Sequence, residues 1–205
     1  MKFVELLYNP DGFFEDVRRE GIGIAVPLLI VVISGLFGGI ATSIVAQAIA
    51  HTAIEEISNE QTKALVQFFS AEITPFVALV NIIGWVILSA VIYLISRVFS
   101  NEGNFQLMLK LMGFSYIPGI ILFPVNLYIA IISAEIIETS GLEACIGSGV
   151  WAASKICSIA ILVWQFVLWV FAVKNVRNLT LDKAIISALI PAIVFFILAA
   201  LPYGF

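Results

Sequence analysis

Charge is scarce in this chain. Only 12% of its 205 residues are Asp, Glu, Lys or Arg, while 61% are hydrophobic. Soluble domains carry about 25% charged and roughly 45–50% apolar residues. The scarcity therefore excludes a soluble globular domain and defines an integral membrane protein. Histidine is almost missing too. There is one, His51, and neither H-E-x-x-H nor G-x-S-x-G occurs, which removes the chemistries those motifs carry. The pair Glu55-Glu56 invites comparison with intramembrane proteases that use two glutamates, yet no arginine follows it. No catalytic residue, no cofactor and no enzyme activity are expected.

Cysteine is nearly as rare. Cys145 and Cys157 form no C-x-x-C pair and no zinc spacing. On one helix they would lie about 18 Å apart, and a disulfide needs Cα atoms within roughly 7 Å. Two free thiols are expected unless Cys145 lies in a folded-back loop. His51, Glu55, Glu56 and Glu72 would give an oxygen-rich set suited to calcium or magnesium. Without paired ligand motifs no dedicated metal site is expected, only loose attraction of cations. At a net charge of −4 no nucleic-acid partner is expected either. The start, MKFVELLYNPDGFFEDVRREG, mixes charges and has no small-residue cleavage site, so it does not read as a signal peptide.

What is present is long apolar runs. Crossing the hydrocarbon core takes about 20 such residues. Five runs qualify, at about 22–50, 74–99, 107–134, 150–173 and 184–201. The expected fold is all-α: an integral membrane bundle of five transmembrane helices behind a leader over 1–21. Eight of the ten basic residues fall on one side of this topology: Lys2, Arg18, Arg19, Arg97, Lys110, Lys174, Arg177 and Lys183. Lys63 and Lys155 fall on the other, with seven acids, Glu55, Glu56, Glu60, Glu72, Glu135, Glu138 and Glu143. The excess of basic residues marks the cytoplasmic side. The N-terminus is thus expected in the cytoplasm and the C-terminus outside the cell membrane.

The leader is amphipathic. Asn9 is a candidate N-cap with Pro10 at the first helical position. Phe13, Phe14 and Val17 share one face. Either the helix lies in the membrane interface with its phenylalanines down, or it packs on the cytoplasmic end of the bundle. The stretch 51–73 has apolar residues at roughly helical spacing and is expected to extend spans one and two. Gly35 and Gly39 form a G-x-x-x-G step that lets another helix approach closely.

Polar residues inside a membrane are the default functional candidates. Here they are Gln47 in span one, Asn81 in span two, Asn126 in span three, and Lys155 and Gln165 in span four. Glu135 and Glu138 are the natural partners of Lys155, either in a polar pocket or in a structural ion pair, unless the lysine snorkels to the surface. Span three contains both Pro118 and Pro124. Each removes a backbone donor and disfavours a straight helix, and lipid cannot satisfy the freed carbonyls. Ser115 and Tyr116 are expected to serve the first break and Asn126 the second, in a kinked span buried against the bundle.

The leader Leu7-Tyr8-Asn9-Pro10-Asp11-Gly12-Phe13-Phe14, five spans, and Gly113-Phe114-Ser115-Tyr116-Ile117-Pro118 in the third together resemble the Yip1 family. Phe114 stands where that family usually has tyrosine. The resemblance implies a prokaryotic-type, non-enzymatic membrane protein with the lipid bilayer as its medium. It also implies a habit of forming complexes, as a homo-oligomer or with other membrane proteins. Eukaryotic relatives associate with Rab GTPases through long cytosolic N-terminal regions. About twenty residues stand there in this chain, so Rab binding is not expected. The expected role is to organise or shape the bilayer or to scaffold partners. The alternative is an ion or lipid channel or transporter with its site at the broken third span.

Overall fold

The computed structural model describes residues 4–55 and 57–200, side chains of 198–200 excepted. Lys2, Glu56 and the last residue of the expected fifth span, Leu201, lie outside the described residues. Among those described, regular structure is entirely helical. The leader forms α1 (Glu5–Tyr8) and α2 (Pro10–Glu20). Then follow α3 (Ala25–Ile54), α4 (Glu60–Ala71) and α5 (Ile73–Ser96). The third run is split into α6 (Phe105–Met112), a 3-10 turn (Gly113–Tyr116), α7 (Ile117–Ile121) and α8 (Phe123–Ser140). The chain ends with α9 (Leu142–Ile146), α10 (Gly149–Arg177) and α11 (Leu181–Ala200).

Among the described residues three helices, α3, α5 and α10, are long and apolar enough to cross a membrane. The third run makes a fourth crossing when its two halves, bent by 52° at Leu122, are taken as one span. The stretch 51–73 is only in part an extension of its neighbours. The first span does continue to Ile54, but Asn59 accepts from the backbone N–H groups of Gln61 and Thr62, at 2.8 and 3.2 Å, and starts a separate helix.

Close approach of backbones fixes the centre of the bundle. A side chain at Gly35 would stand 2.8 Å from the Cα of Ala78, and one at Gly39 2.7 Å from the carbonyl of Thr74. The G-x-x-x-G step therefore serves packing of α3 on α5 within one chain. Asn81 fastens the same pair, donating from Nδ2 to the Val31 carbonyl at 2.9 Å. On its other side α3 meets α8 through stacked Phe37 and Phe123, centroids 4.0 Å apart. Small residues on α11, Ala184, Ser187, Ala188 and Ala192, are buried where that helix packs on α10 and α5.

The two ends of the bundle differ. The main core gathers toward the leader end and includes Phe13, Phe14, Met108, Leu111, Phe114, Trp169 and Val173. The opposite end holds a small cluster of Ala48, Ile137 and Cys145. Both cysteines are free and buried.

Candidate functional site

The site begins with a cap. Asn9 Oδ1 accepts from the Gly12 N–H at 3.2 Å, and Pro10 follows at the first helical position, where the missing N–H costs nothing. The turn this starts places Phe13, Phe14 and Val17 on one face, and all three are buried in the bundle. The reading with phenylalanines down in lipid is thereby corrected. Their face is covered by the chain itself.

What covers it is the broken third span. Phe13 meets Phe114 edge-to-face at 5.2 Å, Phe14 meets it at 6.3 Å, and the two leader rings stand 5.5 Å from each other. Such T-shaped pairs add roughly 0.5–1.5 kcal/mol each beyond area burial. Phe114 is 0% exposed in this triad. The leader motif and the third-span motif are about a hundred residues apart in sequence and form one contact in space.

The break itself is sealed. Pro118 lacks the N–H that Phe114's carbonyl would receive, and the 3-10 turn supplies the Ile117 N–H instead. Ser115 Oγ donates to the Met112 carbonyl at 2.7 Å and accepts from Trp169 Nε1 at 2.9 Å. Trp85 Nε1 donates to the Leu109 carbonyl at 3.0 Å. Two indoles and one hydroxyl thus bind the end of α6 to α5 and α10. Gly113 admits α3 to the same point, since a Cβ there would lie 2.6 Å from Pro27 Cβ. Ser115 lies at the break, but its hydroxyl goes to the Met112 carbonyl and not to the Phe114 carbonyl that Pro118 frees. Tyr116 is half-buried against the core, and Pro118 is buried.

The second break works differently from the expectation. Pro124 is exposed and stands in the first turn of α8. A donor is not needed there, so no side chain has to rescue a carbonyl. Asn126 is half-buried, and its backbone N–H goes to the Leu122 carbonyl at 3.0 Å.

Polar contacts with the end of α10 hold the leader down. Asp11 forms an ion pair with Lys174, and its Oδ1 accepts from Asn175 Nδ2 at 2.9 Å. Arg18 Nη1 donates to the Asn175 carbonyl at 2.9 Å. Burial raises the Asp11 carboxyl, but the hydrogen bonds from Lys174 and Asn175 and the Lys174 charge outweigh it, leaving the pKa below its ordinary value.

Beside this lies Arg177, which is 1% exposed. Its Nε donates to Ser96 Oγ at 2.9 Å, Nη1 to the Glu102 carbonyl at 2.7 Å, and Nη2 to the Tyr93 carbonyl at 2.8 Å. Its guanidinium lies 4.0 Å from the Tyr93 ring centre. The carbonyls at the end of α5 carry the negative end of the helix dipole, which favours a cation. Gly103, at φ +70°, brings the Glu102 carbonyl close. A Cβ there would stand 2.2 Å from the Val176 carbonyl.

Sequence reasoning missed Arg177, Trp85, Trp169, Asp11 and Asn175. Arg177 read as one more basic loop residue. The indoles carried a usable signal, because a buried Trp N–H needs a partner and the third span offers one serine beside its proline.

The candidate polar residues do not form one cluster. Asn81 is used in helix packing. Gln47 Nε2 donates to Ser43 Oγ at 2.7 Å. Gln47 and Glu138 do share a cavity of about 480 Å³ at the end opposite the leader, with His51, Gln67 and Ser70 also on its wall. Glu135 is exposed. Lys155 lies 5.2 Å from the centre of the Trp151 ring. Ion pairs elsewhere in the described residues include Arg19–Glu15, Lys63–Glu60 and Lys174–Asp11.

Apolar crossing helices, a bent span and a docked leader define an all-helical, multi-pass membrane protein. The Yip1 domain model matches residues 4–201, and the chain belongs to that family, as a prokaryotic-type member. It is 29% identical to the uncharacterized protein MJ0794 of Methanocaldococcus jannaschii over 141 residues, covering 66% of this chain and 93% of the relative. No solved structure matches the chain.

Proposed function

We propose that this protein acts without catalysis, as a five-span membrane body that organises or shapes the bilayer or scaffolds membrane partners. Its N-terminus lies in the cytoplasm and its C-terminus outside the cell membrane. The leader end carries Arg18, Arg19, Arg97, Lys174 and Arg177, while the opposite end carries Lys63 and Lys155, which supports that orientation. The carrying observation is the sealed break. The 3-10 turn of the third span, an irregular stretch of backbone, is filled by Phe13, Phe14 and Phe114 and tied by Ser115 and Trp169. Reconstitution tests the reading. The purified protein should deform vesicles or recover a membrane partner on crosslinking; if it does neither, the reading is wrong.

The cavity holding Gln47 and Glu138 favours a second reading, an ion or lipid channel or transporter. Asn126, Asn81 and Lys155 are its other candidate residues. This reading requires flux above empty liposomes that falls in Gln47→Ala, Glu138→Ala, Asn126→Ala, Asn81→Ala or Lys155→Ala. A flux equal to that of empty liposomes removes it.

A further inference from the structure

Helix α4 has no buried residue. At twelve residues it has a length at which isolated helices are marginal in water. Its own supports are the Asn59 cap and the Lys63–Glu60 ion pair at 2.9 Å. Most helices gain their stability from packing of an amphipathic face, and here that face is bare. Leu65, Phe68 and Phe69 are 57%, 60% and 66% exposed. Steps of three and four place them together on one side of the helix. Gln67 and Ser70 lie toward the opposite side and line the cavity.

The bare face continues into the membrane. Glu72 alone separates α4 from α5, whose exposed Phe76, Leu79 and Ile83 form the lipid-facing start of a crossing helix. We infer that α4 lies in the plane of the bilayer, with Leu65, Phe68 and Phe69 sunk at the headgroup–acyl boundary of the leaflet opposite the leader. Aromatic side chains favour that depth, and an in-plane helix needs one apolar face and one wet face. Lipid is the occupant because the face joins the lipid-facing side of α5 across a single residue, Glu72. Glu55, Glu60 and Glu72 surround the helix, so apolar area, not attraction to anionic lipid, holds it there. Immersion stands apart from the membrane-shaping reading and deepens it, since such a helix expands one leaflet only.

Nitroxide accessibility tests the inference in proteoliposomes of a purely zwitterionic lipid, with full-length Cys145→Ala/Cys157→Ala protein as the background. A label at Phe69→Cys should show an oxygen-to-nickel accessibility ratio several-fold above a label at Gln67→Cys. The ratio should not change with salt or added anionic lipid. Equal ratios at the two positions overturn it. So does dipolar broadening at position 69 with low oxygen access, which would put a second copy on the face. If a label at position 69 unfolds the protein, Leu65→Cys reads the same face. Vesicle shape is scored separately with Phe68→Ser/Phe69→Ser. Immersion without any deformation defeats the shaping reading and leaves this inference standing.

Discussion

Two short amphipathic helices in this molecule carry adjacent phenylalanines, and the pairs meet opposite fates. Phe13 and Phe14 are 2% and 0% exposed, whereas Phe68 and Phe69 are 60% and 66% exposed. Each pair holds its two rings edge-to-face, at 5.5 and 5.7 Å. The local pattern is therefore the same, and the destination is set by what the bundle offers. At the leader end the third span is broken, and Phe114 presents a ring to the gap. At the other end the helices leave a cavity, and the wall that α4 gives it is Gln67, Ser70 and Ala71. A paired-phenylalanine motif thus measures amphipathicity. It does not report whether protein or lipid will cover the face.

The sharpest way to break this comparison is to shorten each pair. Phe14→Ala should cost about 3–5 kcal/mol, the usual loss for a buried ring, read as a fall in melting temperature in detergent. Phe68→Ser should stay within about 0.5 kcal/mol, as exposed substitutions do. Equal losses would mean that the two helices are held alike.

Next in size is the buried cation beside the leader. Arg177→Met leaves three acceptors without their donor and should cost about 3 kcal/mol. Arg177→Lys should recover little of it, because one ammonium cannot copy the planar fork. Full recovery by lysine would show that charge alone matters there. Ser115→Ala should cost about 1–3 kcal/mol by leaving the Trp169 indole unsatisfied. A double-mutant cycle with Trp169→Phe should then show strong coupling, and additive losses would deny the bond a role in sealing the break.

The smallest effect sharpens the comparison through pH. The Asp11 carboxyl titrates below its ordinary value of 3.8 when folded. Its contribution is therefore complete above that ordinary value and is lost as pH falls through the lowered one. Hydrogen exchange of leader amides should quicken in that acid window, and Asp11→Asn should flatten the dependence. The α4 amides should show no matching change.

Much of the architecture was legible because membrane solvent enforces it. Apolar runs gave α3, α5 and α10 to within a few residues, since lipid demands helix and a fixed length. The Asn9-Pro10 start followed from capping chemistry, and the two prolines located the break in span three. The pairings were less accessible. Gly35 and Gly39 announced a close contact, yet nothing local says that Thr74 and Ala78 meet them. Asn126 was assigned a rescue that Pro124 does not require, because a proline in a first turn frees no needed donor. Arg177 defeated the reading most. Its charge argued for solvent, and its three acceptors come from α5 and the following loop, far away in sequence.

The leader's contacts also order events in time. Asp11 and Arg18 bind residues 157 to 164 positions further along the chain. Ribosomes deliver the N-terminus first, so Phe13 and Phe14 emerge long before Phe114, and longer still before Lys174 and Asn175. Docking of the leader can finish only when the fourth apolar run is in place. The buried pair is thus a late closure, and its protection from protease in a pulse-labelled chain would report that insertion has been completed.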